Sequence, residues 1–310
     1  MSNSGNGIHT GNGNGVQEGD GDGRSVTVIG LGPMGQAMAA SLLERGFDVT
    51  LWNRTASRAD ALVARGARLA PSVREALTAN ELVILSLTDY AAMYDLLGPA
   101  EAALAGRVLV NLSSDTPEEA RKAARWAADR GGVQLTGGVT VPPSGIGKPE
   151  SSTFYSGPRD VFDRHRQVLE AVTGTTDYRG EDPGSAALFY QIGMTMFWTS
   201  MLSYWQATAL ARANGLTASD ILGHAVDTAN SLPGFFTFYA DRIDAGRHDG
   251  DVDRLAMGTA GVEHVLHTHT DAGVDTVLPT AVAALFRRGM NAGGATESFS
   301  GLVEVMSKAG

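Results

Sequence analysis

The chain has 310 residues, 43% of them hydrophobic, with a formal charge of −10 and no cysteine. That length allows two domains with full cores. The acidic balance argues against nucleic acid, and the lack of cysteine removes disulfides, thiolate nucleophiles and cysteine metal sites. No stretch reaches the roughly 20 apolar residues of a membrane span, so a soluble, cytoplasmic protein is expected.

Residues 1–24 are mostly Gly, Asn, Asp and Ser. They cannot bury enough apolar surface to offset their ordering entropy, and they lack the apolar centre of a secretory signal, so they read as a disordered tail. From Ser25 the pattern alternates between strand and helix. The β-branched run Ser25–Ile29 leads into Gly30-Leu31-Gly32-Pro33-Met34-Gly35 and then a helix to Arg45, ended by Gly46. Strand, glycine turn and helix in this order make a dinucleotide site. Gly30 permits the tight turn, Gly32 lets backbone approach a pyrophosphate, and Gly35 lets helix pack on strand. The helix N-terminus offers free N–H groups to the phosphates.

The second strand, Asp48–Trp52, ends in Asn53-Arg54-Thr55. An acid expected there would accept the ribose 2′-hydroxyl of NAD. Its absence, and an arginine able to pair with a 2′-phosphate, point to NADP(H), with Asn53, Arg54 and Thr55 as contacts and Arg58 in support. Helices are expected at Ser57–Arg65 and Val73–Leu77. The strand Leu82–Leu87 then brings Leu87 and Thr88 to the cofactor.

The next strand, Arg107–Leu112, precedes Ser113-Ser114-Asp115-Thr116-Pro117 and a helix to Arg130. Its hydroxyls stand at the carboxyl end of the sheet, where ligands bind. The alternative reading of Ser113 and Thr116 is helix capping. A strand at Gly132–Thr136 leads to Gly137–Gly145, too rich in Gly and Pro for strand or helix. It is expected as a loop near the cofactor, with Val139 on the substrate side, or as a turn at the domain edge. A strand at Thr153–Ser156 and a helix at Arg159–Leu169 complete a doubly wound α/β domain over residues 25–183.

Residues 184–310 read as all-helical. The first segment, Gly184–Ala213, is apolar on nearly every face, so it must be covered on all sides, with help from a partner subunit. Tyr190 lies near its start, either as a proton donor into the cleft or as one more aromatic of the helix. Further helices are expected at Thr217–Ala229, Pro233–Ala245, Val252–Ala272, Thr280–Arg288 and Ser298–Ser307, with Thr217 and Asp220 forming a capping box. His264, His267 and His269 lack an accompanying carboxylate-rich loop and read as a surface patch, so no metal is expected.

Taken together, GLGPMG after a strand, Asn-Leu-Ser-Ser-Asp-Thr-Pro after a later one, the paired glycines and a long helix opening GSAALFY resemble the β-hydroxyacid dehydrogenase superfamily, with its 6-phosphogluconate dehydrogenase-like fold. The resemblance implies a Rossmann domain, a long interdomain helix and an all-α domain intertwined with that of a second copy. It places a catalytic lysine six residues after the glycine matching Gly184, where this chain has Tyr190. Val141-Pro-Pro-Ser-Gly-Ile-Gly-Lys-Pro-Glu-Ser-Ser152, Phe154-Tyr-Ser-Gly157 and Trp52-Asn-Arg-Thr55 are similar to NADPH-dependent imine reductases, and the tyrosine form resembles their (S)-selective branch. The resemblance implies reduction of cyclic, pyrroline-like imines to secondary amines. Tyr190 would be proton donor or iminium anchor, and Ser113 and Ser114 would lie beside the substrate. Met194 and Trp198 are candidates to line the cleft, and Phe235, Phe236 and Tyr239 to reach it from the partner, with plain core packing as the alternative for all five. Two other readings are a hydroxyacid or aldehyde reductase of the same superfamily, which expects the missing lysine, and a non-catalytic NADPH-binding protein.

Overall fold

The computed structural model describes residues 24–308. The tail expected at residues 1–24 lies outside this range except for Arg24, whose guanidinium donates to the carbonyls of Arg45 and Gly46.

In chain order, β1 (Ser25–Ile29) leads to α1 (Pro33–Glu44), and β2 (Asp48–Trp52) to a 3₁₀ turn and α2 (Asp60–Val63). The two-residue β3 (Arg68–Leu69) precedes α3 (Val73–Ala79). Then follow β4 (Leu82–Leu85), α4 (Tyr90–Leu97), β5 (Val108–Asn111), α5 (Pro117–Ala128), β6 (Val133–Val139), β7 (Ser152–Ser156), α6 (Arg159–Thr173) and β8 (Thr175–Tyr178). Among the described residues these strands form one sheet of order β3-β2-β1-β4-β5-β6-β7-β8. Pairing is parallel from β3 to β6, antiparallel between β6 and β7, and parallel again between β7 and β8. The central strands are buried along their whole length, as a sheet covered on both faces requires. Val26, Val28, Leu51 and Ile84 pack with Met38, Leu42, Phe162 and Leu169 on one face. Ile29, Val83, Leu85 and Leu109 pack with Leu77, Tyr90, Met93 and Leu97 on the other.

The remaining helices are α7 (Ser185–Ala213), α8 (Ala218–Asp244), α9 (Leu255–Asp271), α10 (Val277–Asn291) and α11 (Leu302–Met306). The chain divides into two compact units after Gly193, inside α7. In the second unit the Thr217–Asp220 capping box opens α8. The buried Asp253 carboxylate accepts from Tyr239 Oη at 2.7 Å, Ser298 Oγ at 2.9 Å and the Phe299 N–H at 2.7 Å. Gly258 is required by packing, since a β-carbon there would meet the Phe299 and Phe286 rings at 2.5 and 2.7 Å.

Four expectations need correction. The paired glycines are strand: β6 continues to Val139, with Gly137 opposite Tyr155 and Gly138 opposite Phe154. Their missing side chains let neighbours cross, for a β-carbon on Gly137 would come within 2.2 Å of Leu112 Cδ2. Second, α4 was not foreseen, although Asp89 caps it by accepting from the Ala92 N–H, and Tyr90, Met93 and Leu97 give it a buried stripe. Third, the two helices expected on either side of Pro233 are one. Proline removes a single N–H from the ladder, and the helix runs through to Asp244. Fourth, short strands at Arg68–Leu69 and Thr175–Tyr178 extend the sheet at both edges.

Candidate active site

A cleft of about 830 Å³ opens at the carboxyl ends of β1, β2, β4, β5 and β6, all within the first unit. It crosses the point between β1 and β4 where strand order reverses, which is where open α/β sheets bind ligands.

The glycine turn forms its floor. Gly30 has φ +97°, and a β-carbon there would lie 2.2 Å from the Ser86 carbonyl oxygen. On Gly35 it would lie 1.8 Å from the Gly30 oxygen, so the helix rests directly on the turn. Around Gly32 there is open space, as an approaching pyrophosphate requires. Helix geometry leaves the Met34 and Gly35 N–H groups without partners inside α1, and Pro33 at its first position has no N–H to satisfy. This cradle fits a dinucleotide.

Leu31 departs from expectation. Its side chain is fully buried, and its N–H donates to Asn53 Oδ1 at 2.9 Å. Asn53 Nδ2 in turn donates to the Thr55 carbonyl. The Asn53 amide therefore splints the glycine turn to the β2 loop, although Asn53 also lines the cleft. Arg54, Thr55 and Arg58 line the same end with exposed side chains. That end presents guanidinium and hydroxyl donors and carries no carboxylate at positions 53–58, the donor set for a phosphate.

Leu87, Thr88, Ser113, Ser114 and Val139 also line the cleft. Ser113 is buried and accepts from the Leu87 N–H at 3.2 Å, which ties the β4 and β5 loops together. Thr116 is the residue that caps α5. Asp115 was not foreseen: its carboxylate accepts from the Thr116 and Tyr90 N–H groups, and its carbonyl accepts from Gln191 Nε2. Trp52, which opens the Trp52–Thr55 motif, lines the cleft too, and Leu96, Thr136 and Ala187 were missed. Thr136 stands in β6 opposite Asn111, the last residue of β5, and so reaches the level where the neighbouring strands end.

Tyr190, in the second turn of α7, lines the cleft and is half-buried. Among the described residues none hydrogen-bonds its hydroxyl, which leaves the phenol free for a ligand. The preceding Phe189 ring lies under the Arg179 guanidinium at 4.0 Å.

The remaining expected residues belong to the second unit. Met194 is half-buried; Trp198 and Phe235 are 54% and 56% exposed, and Phe236 is exposed too. Tyr239 is half-buried, and burial together with its bond to Asp253 pushes its phenol up to about 12. His264 and His267 are exposed, whereas His269 is buried with Nδ1 2.8 Å from the Val265 carbonyl oxygen. The histidine patch is therefore only partly a surface one.

Residues 25–180 match the NAD binding domain of 6-phosphogluconate dehydrogenase, and residues 182–308 match the NADPH-dependent reductive aminase-like C-terminal domain. An imine reductase from Streptomyces aurantiacus is 65% identical, with TM-score 0.89, over 92% of this chain and 100% of that one. An imine reductase from Bacillus cereus is 61% identical, with TM-score 0.86, over 92% and 99%. The NADPH-dependent reductive aminase of Aspergillus oryzae is 30% identical over 91% of this chain and 96% of its own.

Proposed function

The chain belongs to the imine reductase and reductive aminase family, and from that membership we propose that it reduces C=N bonds with NADPH, taking cyclic, pyrroline-like imines to chiral secondary amines. The observation that carries the reading is Tyr190, a free phenol in the cleft where the resembling hydroxyacid enzymes keep a lysine. When bound, NADPH supplies the hydride, from nicotinamide C4 to the imine carbon.

The Met34 and Gly35 N–H groups hold the pyrophosphate at the positive end of α1. Arg54 and Thr55 hold the 2′-phosphate, with Arg58 in support. Ser113 fixes the spacing of the two loops beneath the substrate, and Ser114 offers an exposed hydroxyl beside it. The Tyr190 phenol orients the C=N group. It donates its proton to an imine nitrogen or, when the substrate arrives as iminium, accepts a hydrogen bond from the cationic N–H. A second copy of the chain would cover the apolar helices of the second unit and bring Phe235 and Tyr239 to the substrate.

Tyr190→Phe removes the hydroxyl and keeps the ring. Its kcat on 2-methyl-1-pyrroline is expected to fall about a hundredfold with NADPH affinity unchanged. Equal turnover and equal stereochemistry would remove Tyr190 from the mechanism. Turnover of glyoxylate in preference to any imine would favour the hydroxyacid reading, and cofactor binding without turnover a non-catalytic one.

A further inference from the structure

Resting on the role given to Tyr190, we infer that Ser156 and Gly138 are positioning residues that set where Tyr190 stands. Ser156 closes β7 and is fully buried. Its hydroxyl donates to the Pro183 carbonyl at 3.1 Å and accepts from the Ala186 N–H at 3.0 Å. The chain is thus gripped on both sides of the point where α7 begins. A helix leaves its first N–H groups unpaired, and here one of them is satisfied by a strand residue 30 positions earlier. Such a bond fixes the helix to the sheet, which a cap from the adjacent chain would not do.

Gly138 acts one turn later. A β-carbon on it would stand 2.9 Å from Tyr190 Cβ and 3.1 Å from the Ala186 carbonyl oxygen. Helix α7 therefore lies against bare backbone at the level of Tyr190, with no side chain between. Gly138 opposes Phe154 in the β6–β7 ladder, and Thr136 opposes Ser156, so grip and seat sit two residues apart on paired strands. A further tether at this end, Arg121 to Asp182, is an ion pair with side chains 36% and 45% exposed, worth less per contact than a buried bond. Position is what the pair controls, because a phenol displaced by about 1 Å from a reacting nitrogen costs up to a hundredfold in rate.

The test is a double-mutant cycle. Ser156→Ala and Gly138→Ala are each made alone and together with Tyr190→Phe. The readouts are kcat on 2-methyl-1-pyrroline at saturating NADPH and NADPH Kd by fluorescence titration. Each single change is expected to lower kcat at least tenfold and leave the NADPH Kd within twofold. In the Tyr190→Phe background neither is expected to cost more, since the group they position is already gone. Retained kcat, equal losses in both backgrounds, or weakened NADPH binding in proportion to kcat would each overturn the inference. Should Ser156→Ala fail to fold, Gly138→Ala carries the same comparison. If Tyr190→Phe alone leaves turnover intact, it is the reading of Tyr190 that fails, and the inference falls with it.

Discussion

Tyr190 has three features at the scale of single residues: a hydroxyl with no hydrogen-bond partner among the described residues, a place on the cleft wall, and a β-carbon pressed against backbone. The first two make it available to a ligand, and the third fixes its origin. The cofactor end divides its labour differently. Asn53 is expended on holding the Leu31 N–H and the Thr55 carbonyl, which leaves Arg54, with Arg58 in support, as exposed charge beside the proposed 2′-phosphate position. Replacing Arg54 by alanine is therefore expected to raise the NADPH KM roughly tenfold or more, the loss of a charge-assisted hydrogen bond. The NADH KM should stay within about twofold. Steady-state kinetics with both cofactors decide it, and parallel changes would take Arg54 out of the 2′-phosphate site. Much of this was legible in the sequence, because the glycine turn and the missing acid are local patterns with one physical reading each. What was not legible was the Asn53 splint, since nothing local says that a side chain in one loop will be used up by the backbone of another.

Among the elements, the start of α7 joins architecture to the proposed chemistry. Links from several elements converge on it: Ser156 from β7, Arg121 from α5 through Asp182, Arg179 over Phe189, and Gln191 to the Asp115 carbonyl. The Arg121 guanidinium, helped by the Gly184 N–H, holds the Asp182 carboxyl below the usual carboxylate range. A carboxyl depressed in the folded state stabilises it fully above the ordinary value of about 4, and loses that contribution as pH falls through the depressed value. Asp182→Asn should therefore melt roughly 1–2 °C below wild type at pH 7, a small effect for an exposed pair. The gap should close as the pH falls through the depressed value. Melting curves across this range test it, and a gap that persists in acid would mean that the carboxylate charge is not the cause. The same scale shows where sequence reading fails. Gly137 and Gly138 violate strand propensity because neighbours occupy the space of their side chains, so a tertiary demand imitates a loop. Pro233 imitates a helix end, yet a 27-residue helix absorbs one missing bond. By contrast, β1, β2 and α1 were readable because propensity, glycine chemistry and burial all agree there.

For the whole molecule, the contrast between the two units is decisive. The first buries its apolar side chains on both faces of a sheet. The second exposes Trp198, Trp205, Leu222, Val226, Phe235 and Phe236 on α7 and α8, each about half accessible. Large apolar side chains left this accessible on two helices of a lone chain point to an interface. A second copy is the proposed cover, and light scattering after gel filtration should give twice the chain mass. Leu222→Glu with Val226→Glu, one turn apart on α8, should yield a monomer with its helices intact by circular dichroism. A single-chain mass for the unaltered protein would sink the dimer.

The grip at Ala186 has one more consequence. Tyr190 follows it by four residues, which is 400° of helical rotation and about 6 Å of rise. The tyrosine's bearing toward the cleft is thus a matter of counting from a fixed mark. Residues gained or lost just before Pro183 would disturb the Asp182 and Arg179 tethers but leave the count from Ala186 to Tyr190 unchanged. One residue gained or lost between Ala186 and Tyr190 would swing the phenol by about 100° and aim it away from the cleft. In that short interval, length is as strictly specified as the tyrosine itself.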